Sequence, residues 1–318
     1  MILNKDDYPS LNALFGDYSE NEGITVFSMF DGISCGRIAL QRANIKVKQY
    51  FTSEIDKYAS AISRCNWHNT ELGDITKVNF NDLPKLDLIL CGAPCQDLSF
   101  SGKGKGLFKG DRSKLFFYFI ECLENQEKRF GVKPKFIVEQ VKMKKEYQKA
   151  MTDLIGVEPV LINSKDFSAQ SRQRLYWTDI AILPYDKKGL FYKDIKETNV
   201  SDNFYYSPKM LAWIDRHGKR KNKKLRIQSD NDKVQMIEAS HFKGCSSQRF
   251  FGIEDVKGLR YITPLECERA QTVPDNYTAH GAEIDGTYKK ISNTRRYHCL
   301  GNGWTVDVIT FLMEGLKL

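Results

Sequence analysis

The chain has 318 residues, 41% of them hydrophobic and 28% charged, enough for one large core and a smaller second unit. No apolar run approaches the roughly 20 residues that cross a bilayer, and Met1–Ser10 is too polar for a secretory signal, so a cytoplasmic protein is expected. The net charge of +8 suits an acidic partner or a merely basic surface, and charge alone does not separate the two.

In chain order, Ile24–Phe30 reads as a buried strand, DGISCG as a turn, and Arg37–Ala43 as the start of a helix. Val47–Glu54 is a second strand, followed by a helix through Ile62. Leu86–Cys91 is a third, and Lys114–Leu123 has helical periodicity. Lys135–Val141 is a strand, Lys144–Ile155 a helix and Pro159–Ile162 a strand again. This alternation predicts an α/β domain with a largely parallel sheet, whose ligands bind beyond the carboxyl ends of the strands.

From about Pro184 the pattern becomes polar, basic and aromatic-studded, without clean periodicity. Tyr185–Gly258 holds 16 Lys and Arg against 10 Asp and Glu, so most of the charge excess sits there. The division expected is a catalytic and cofactor-binding domain over 1–183, a small inserted domain over 184–258, and a return to the first domain over 259–318. Thr263 is placed to cap a helix carrying Leu265, Cys267 and Ala270. Thr305–Leu316 reads as an amphipathic helix with Val306, Ile309 and Met313 on one face.

Candidate chemistry falls at the strand ends. The turn Asp31–Gly36 follows a buried strand, and its glycines let the backbone approach a ligand. Glu54, ending the next strand, is where an acid takes two ribose hydroxyls. Asp74, in LGDI, can accept from an adenine amino group. Each alone reads as surface or as a routine turn; together and in order they suggest an adenosyl ligand.

GAPCQDLSFSGKGKG places Cys95 directly after a strand and a proline, followed by a loop with Lys103, Lys105 and Lys109. A lone cysteine usually packs inertly, but this context favours an accessible nucleophilic thiol under a basic lid. The eight cysteines form no paired CxxC motifs, so neither a disulfide framework nor a metal site is expected. Glu139 ends the strand KFIVEQV, where an acid can protonate a heteroaromatic ring nitrogen. In QSRQR, Arg172 and Arg174 share one side of an extended segment, suited to a base carbonyl and a phosphate, or simply to a carboxylate. Arg216–Arg226 holds seven basic residues and no acid, either a solvated charged loop or a phosphate contact.

The ordered blocks FSMFDGISCGRIAL, SEID, GDIT, GAPCQDLSFSGKGKG, DRSKLFF, VEQV, QSRQR, RYITPLECERAQTVPDNY and GNGWTVDVI closely resemble the cytosine-C5 DNA methyltransferase family, over about two-thirds of the chain. The resemblance is to the bacterial or phage type, with Trp304 and the short variable region similar to the animal de novo branch. It implies a Rossmann-like S-adenosylmethionine-dependent methyltransferase fold with an extra antiparallel strand, and a small inserted target recognition domain.

By matched motif, Phe30, Asp31, Gly32 and Ile33 would hold the methionine moiety, Glu54 and Ile55 the ribose, and Asp74 and Ile75 the adenine. Asn302 and Trp304 would complete the pocket, and the Arg260–Tyr277 block would link the two domains. Cys95, Glu139, Arg172 and Arg174 would be catalytic. Attack of the Cys95 thiolate on carbon 6 of a flipped cytosine makes carbon 5 nucleophilic, while Glu139 serves ring nitrogen 3 and Arg174 the carbonyl oxygen at position 2.

Double-stranded DNA is the implied partner. The loop residues Gln96, Ser99, Lys103 and Lys105 would contact it, with Arg220, Lys221, Lys223 and Lys224 on phosphates. Ser246, Gln248 or Arg249 would read bases. A monomer in a bacterial or phage-infected cell is expected, with no metal, and with a cognate restriction endonuclease as a candidate partner. The alternatives are a tRNA cytosine methyltransferase, against which stands the absence of any Cys-Phe-Thr string, and a decayed DNA-binding homologue, against which stand Cys95, Glu139, Arg172 and Arg174. One residue departs from the pattern: Gln140 stands where the family usually has Asn.

Overall fold

The computed structural model describes residues 22–94, 113–246 and 249–316. Its centre is a seven-stranded sheet of β1 (Ile24–Met29), β2 (Val47–Ser53), β3 (Thr70–Glu71), β4 (Leu88–Cys91), β5 (Lys135–Val141), β6 (Val160–Asn163) and β7 (Gln173–Thr178), in the spatial order β3-β2-β1-β4-β5-β7-β6. Strands β3 to β5 pair in parallel, and β7 runs antiparallel to both β5 and β6. The alternation of elements predicts the mostly parallel sheet, and the family resemblance implies its one reversed strand.

Every residue of β1 and β4 is buried, as strands covered on both faces require. Their side chains alternate between two cores with the period of two that a strand imposes. Val26, Leu88, Leu90 and Ile137 enter one core; Phe27, Ile89, Cys91, Phe136 and Val138 enter the other. The described helices are α1 (Cys35–Arg42), α2 (Lys57–Asn66), α3 (Phe117–Phe130), α4 (Lys145–Ile155), α5 (Pro208–Lys221), α6 (Pro264–Ala270), α7 (Asn293–Asn302) and α8 (Val306–Met313). Helices α1, α2, α7 and α8 supply the first core, and α3 and α4 the second. None is long and apolar enough to cross a membrane.

The variable region departs most from expectation. Its basic run is not a loop throughout: it forms the last turns of α5, which Asn222 ends in a left-handed conformation. Ser207 caps this helix by accepting from Met210 N, with Pro208 in the first turn, a start signal that the dense charge beyond it obscures. Beside it lies a small sheet of β8 (Arg226–Ile227), β9 (Phe251–Asp255) and β10 (Gly258–Arg260). Ile214, Cys245 and Phe250 form a core of their own, whereas Tyr192, Ile195, Val234, Ile237, Phe251 and Ile253 join the first core.

The Arg260–Tyr277 block joins these parts. Arg260, fully buried, pairs with Glu266 at 2.8 Å and Asp255 at 2.7 Å, and Tyr192 donates to Glu266 at 2.8 Å. Removing one partner would strand a buried charge. Thr263 caps α6 in a reciprocal box with Glu266. A hairpin of β11 (His280–Ala282) and β12 (Tyr288–Lys290) follows. Helix α8 is not amphipathic as expected. Val306, Val308, Ile309, Phe311, Leu312 and Met313 are all buried, because it is an interior helix of the first core.

Candidate active site

A cavity of about 300 Å³ opens at the carboxyl ends of β1, β2, β4 and β5, where such sheets bind ligands. After β1 the chain turns sharply, with Phe30, Gly32 and Ser34 all in the left-handed region. That conformation is strained for Phe30 and Ser34, and the packing around them must hold it. A Cβ at Gly32 would meet no atom within 4 Å, so its backbone borders open space. Gly32 N donates to Glu54 Oε2 at 2.9 Å, and Ile55 N and Asp56 N each donate to Glu54 Oε1 at 2.7 Å. Three main-chain donors thus hold this carboxylate at the cavity wall. Ile55, 79% exposed, and Ile75 supply apolar lining beside Asp74, whose Oδ1 accepts from Thr76 N at 3.0 Å and Thr76 Oγ1 at 2.9 Å.

A fixed carboxylate, an uncovered aliphatic side chain and a glycine open to the cavity fit an adenosyl ligand. Not every expected residue reaches it. Ile33 is buried in the first core, its carbonyl accepting from Tyr277 OH at 2.7 Å. Asp31 supports the turn from behind: its carboxyl accepts from Ser34 Oγ and, at 3.1 Å, from Tyr50 OH. Burial pushes its pKa up to about 6, against the hydrogen bonds from Ser28, Ser34 and Tyr50. Asn302 lines the cavity. Trp304 stands behind Gly92, where a Cβ would come within 2.9 Å of the indole Nε1, so glycine is required there.

At the other end, Glu139 leaves β5 on the first-core face and meets Arg174 of β7, with Nε to Oε1 at 2.7 Å. Both side chains are mostly buried, and both border the cavity. Arg174 Nη1 donates to Gln173 O at 2.8 Å and lies 3.5 Å from Met236 Sδ. Arg172 shares its face but not its partners. Its guanidinium donates to Ile237 O at 2.8 Å, Gly301 O at 3.2 Å and Gly303 O at 3.1 Å, so it pins the C-terminal block to the sheet.

Two buried amides, Gln170 and Gln271, extend this clamp and were given no role from the sequence. Gln170 Nε2 donates to Gln271 Oε1 at 2.9 Å, and its Oε1 accepts from Ile237 N at 2.7 Å. Gln271 Nε2 donates to Leu300 O at 2.7 Å, and Thr305 Oγ1 donates to Gln271 Oε1 at 2.8 Å. The sequence carries no local signal for either, since each stands between an alanine and a hydroxyl residue, Ala169-Gln170-Ser171 and Ala270-Gln271-Thr272, yet a buried amide needs partners.

Gln140 leaves β5 on the opposite face from Glu139. It is 1% exposed, and its Nε2 donates to Ala93 O at 2.6 Å. Its Oε1 has no partner among the described residues. The amide therefore holds the Gly92-Ala93-Pro94 turn that leads to Cys95. Cys95 itself, with Gln96, Ser99, Lys103, Lys105 and Gln248, lies outside the described residues. Arg220, Lys221, Lys223 and Lys224 are exposed at the end of α5 and just beyond it. Arg249 is engaged within its own loop by Glu238 and by Ser240 O at 3.2 Å.

The model of the C-5 cytosine-specific DNA methylase family matches residues 24–183 and 181–317. Type II methyltransferase M1.ScrFI of Lactococcus lactis subsp. cremoris is 30% identical over 326 residues, covering 91% of this chain and 77% of that protein. Type II methyltransferase M.NlaX of Neisseria lactamica is 27% identical, covering 92% of this chain and 96% of its own. Orphan methyltransferase M.SPRI of Bacillus phage SPR is 34% identical, but over 48% of this chain and 37% of that protein. Among solved structures, that of S. pombe Dnmt2 methyltransferase superposes with a TM-score of 0.69 at 16% identity, covering 92% and 97% of the two chains, a likeness of fold. With a family model spanning nearly its whole length and a relative of this identity and coverage, the chain belongs to the C-5 cytosine-specific DNA methylase family.

Proposed function

We propose that this DNA cytosine-5 methyltransferase works on a cytosine flipped out of duplex DNA, with Cys95 as nucleophile and with Glu139 and Arg174 holding the base. The observation that carries this reading is the Arg174–Glu139 pair at 2.7 Å, set in one cavity with Pro94, the residue before Cys95. Cytosine carbon 5 is too electron-poor to accept a methyl group directly. A bond from the Cys95 sulfur to carbon 6 pushes electron density to carbon 5, and Glu139 stabilises the proton at ring nitrogen 3. Arg174 holds the carbonyl oxygen at position 2 through its guanidinium donors. Loss of the carbon 5 proton to a base then expels the Cys95 thiolate and restores the ring.

S-adenosylmethionine, on which the family depends, supplies the activated methyl group when bound. Glu54 would take its ribose hydroxyls, Asp74 and Ile75 its adenine, Ile55 would pack on its apolar faces, and Phe30, Gly32 and Asn302 would flank its amino-acid part. Arg172 acts through position: it ties the GN block to the strand that carries Arg174. Residues 184–258 carry the recognition surface, with the basic end of α5 on phosphates. Bisulfite sequencing of DNA from an expressing strain tests the reading. Cytosines protected within one short sequence are expected, and unprotected DNA from cells with folded enzyme would overturn it.

A further inference from the structure

The segment Val234–Glu238 lies alongside the residues that lead into the strand carrying the catalytic arginine, with Val234 bridged in parallel to Gln170. Val234 N donates to Ala169 O at 2.7 Å and Ser171 N to Val234 O at 3.0 Å, and Gln170 and Arg172 bind the two sides of the Ile237 peptide. Gly301 permits the approach, since a Cβ there would fall 2.0 Å from Ala239 N. Met236 is thereby pressed onto Arg174, its sulfur 3.5 Å from Nη1. Met236 also borders a polar cleft of about 560 Å³, which Gln235 and Lys243 line as well. One side chain thus touches both the guanidinium beside the catalytic pocket and this cleft.

The polar groups of the cleft fall into two kinds. Glu238 and Arg249 are ion-paired to each other, and Arg249 also donates to Ser240. They close the loop on itself and give the cleft its shape. The Gln235 amide and the Lys243 ammonium have no hydrogen bond or ion pair among the described residues. Gln235 is half-buried and Lys243 exposed, and Lys243 Nζ rests 5.8 Å from the Phe242 ring centroid.

We propose that this cleft reads the base pairs beside the flipped cytosine, with Gln235 and Lys243 as the discriminating side chains and the Glu238–Arg249 pair as their frame. The assignment rests on the chain acting as a DNA cytosine methyltransferase. An amide offers a donor and an acceptor together, which matches the major-groove edge of adenine; an ammonium offers donors only, which matches guanine. Gln235 therefore selects an A·T pair and Lys243 a G·C pair, while Met236 separates the base being read from the base being methylated.

The test uses the full-length enzyme and the site that bisulfite sequencing returns. The kcat/KM is measured on that duplex and on duplexes with each flanking pair substituted in turn. Gln235→Ala should lower discrimination about tenfold at one A·T position, and Lys243→Ala similarly at one G·C position. Gln235→Glu keeps the shape but loses the donor, and should shift the first preference toward cytosine. Unchanged ratios at every position for these variants, or an equal loss at all positions as phosphate contacts would give, overturn the assignment. A wild-type enzyme that methylates no cytosine removes the underlying reading, and the proposal with it.

Discussion

Replacing Gln140 with Asn shortens the side chain by one methylene and withdraws the amide from Ala93 by about 1.5 Å. The present contact is 2.6 Å, so the bond is lost unless the turn follows. The turn has little room to follow, because Gly92 already packs against the Trp304 indole and its N–H bonds to Met29 O. One net hydrogen bond is worth about 0.5–1.5 kcal/mol, or roughly 2- to 12-fold in rate if the register of Cys95 depends on it. Part of that loss is offset, since the Gln140 carbonyl is buried without a partner among the described residues and Asn relocates it. Gln140→Asn should therefore slow transfer by less than about tenfold, with the same methylated site and the same product. The assay is single-turnover methyl transfer on a saturating duplex with labelled cofactor. A hundredfold acceleration would show that Gln140 impairs this enzyme and would refute the argument that its amide tethers the turn; so would a Gln140→Ala variant as fast as wild type.

Two further predictions come from other parts of the structure. Asp31 has a folded pKa of about 6 against 3.8, so the folded state binds its proton more tightly; its contribution is full below about pH 4 and is lost as pH rises through about 6, by at most roughly 3 kcal/mol. Asp31→Asn should flatten that slope in urea unfolding between pH 4.5 and 7, and an unaltered slope would remove Asp31 as its source. Replacing Lys219, Arg220, Lys221, Lys223 and Lys224 with Gln should weaken binding to all duplexes alike and reduce the dependence of log K on log salt. A shifted sequence preference at constant total affinity would contradict their placement on phosphates.

Strands β1, β2, β4, β5 and β6 were legible because they are short, apolar runs, whereas the two-residue β3 and the polar start of β7 carry no such run. Lys135–Val141 has the limits its sequence suggests, and Thr263 caps its helix as read. Helix α5 was not, since only a few apolar side chains such as Ile214 mark its buried side and periodicity fades under six exposed charged residues. The burial of α8 was equally hidden, because Asp307 and Thr310 mimic a polar face while the helix packs inside. For the site, the matched motifs assigned Glu139 and Arg174 to one target base, and the structure brings the two side chains together. The different work of Arg172 could not be read, because its partners are main-chain carbonyls from residues 237, 301 and 303. Local pattern carries no trace of such distant acceptors.

The central claim is a covalent bond from Cys95 to the target base, and the most direct test is trapping it. A duplex carrying 5-fluorocytosine at the methylated position is incubated with enzyme and S-adenosylmethionine and resolved under denaturing conditions. Fluorine cannot leave as the carbon 5 proton does, so the wild-type enzyme should remain attached through a peptide containing Cys95, identified by mass spectrometry. Cys95→Ser should give neither adduct nor turnover while still binding the cofactor. A wild-type enzyme that methylates the normal site yet forms no adduct there, or a Cys95→Ser variant with substantial turnover, would contradict the account.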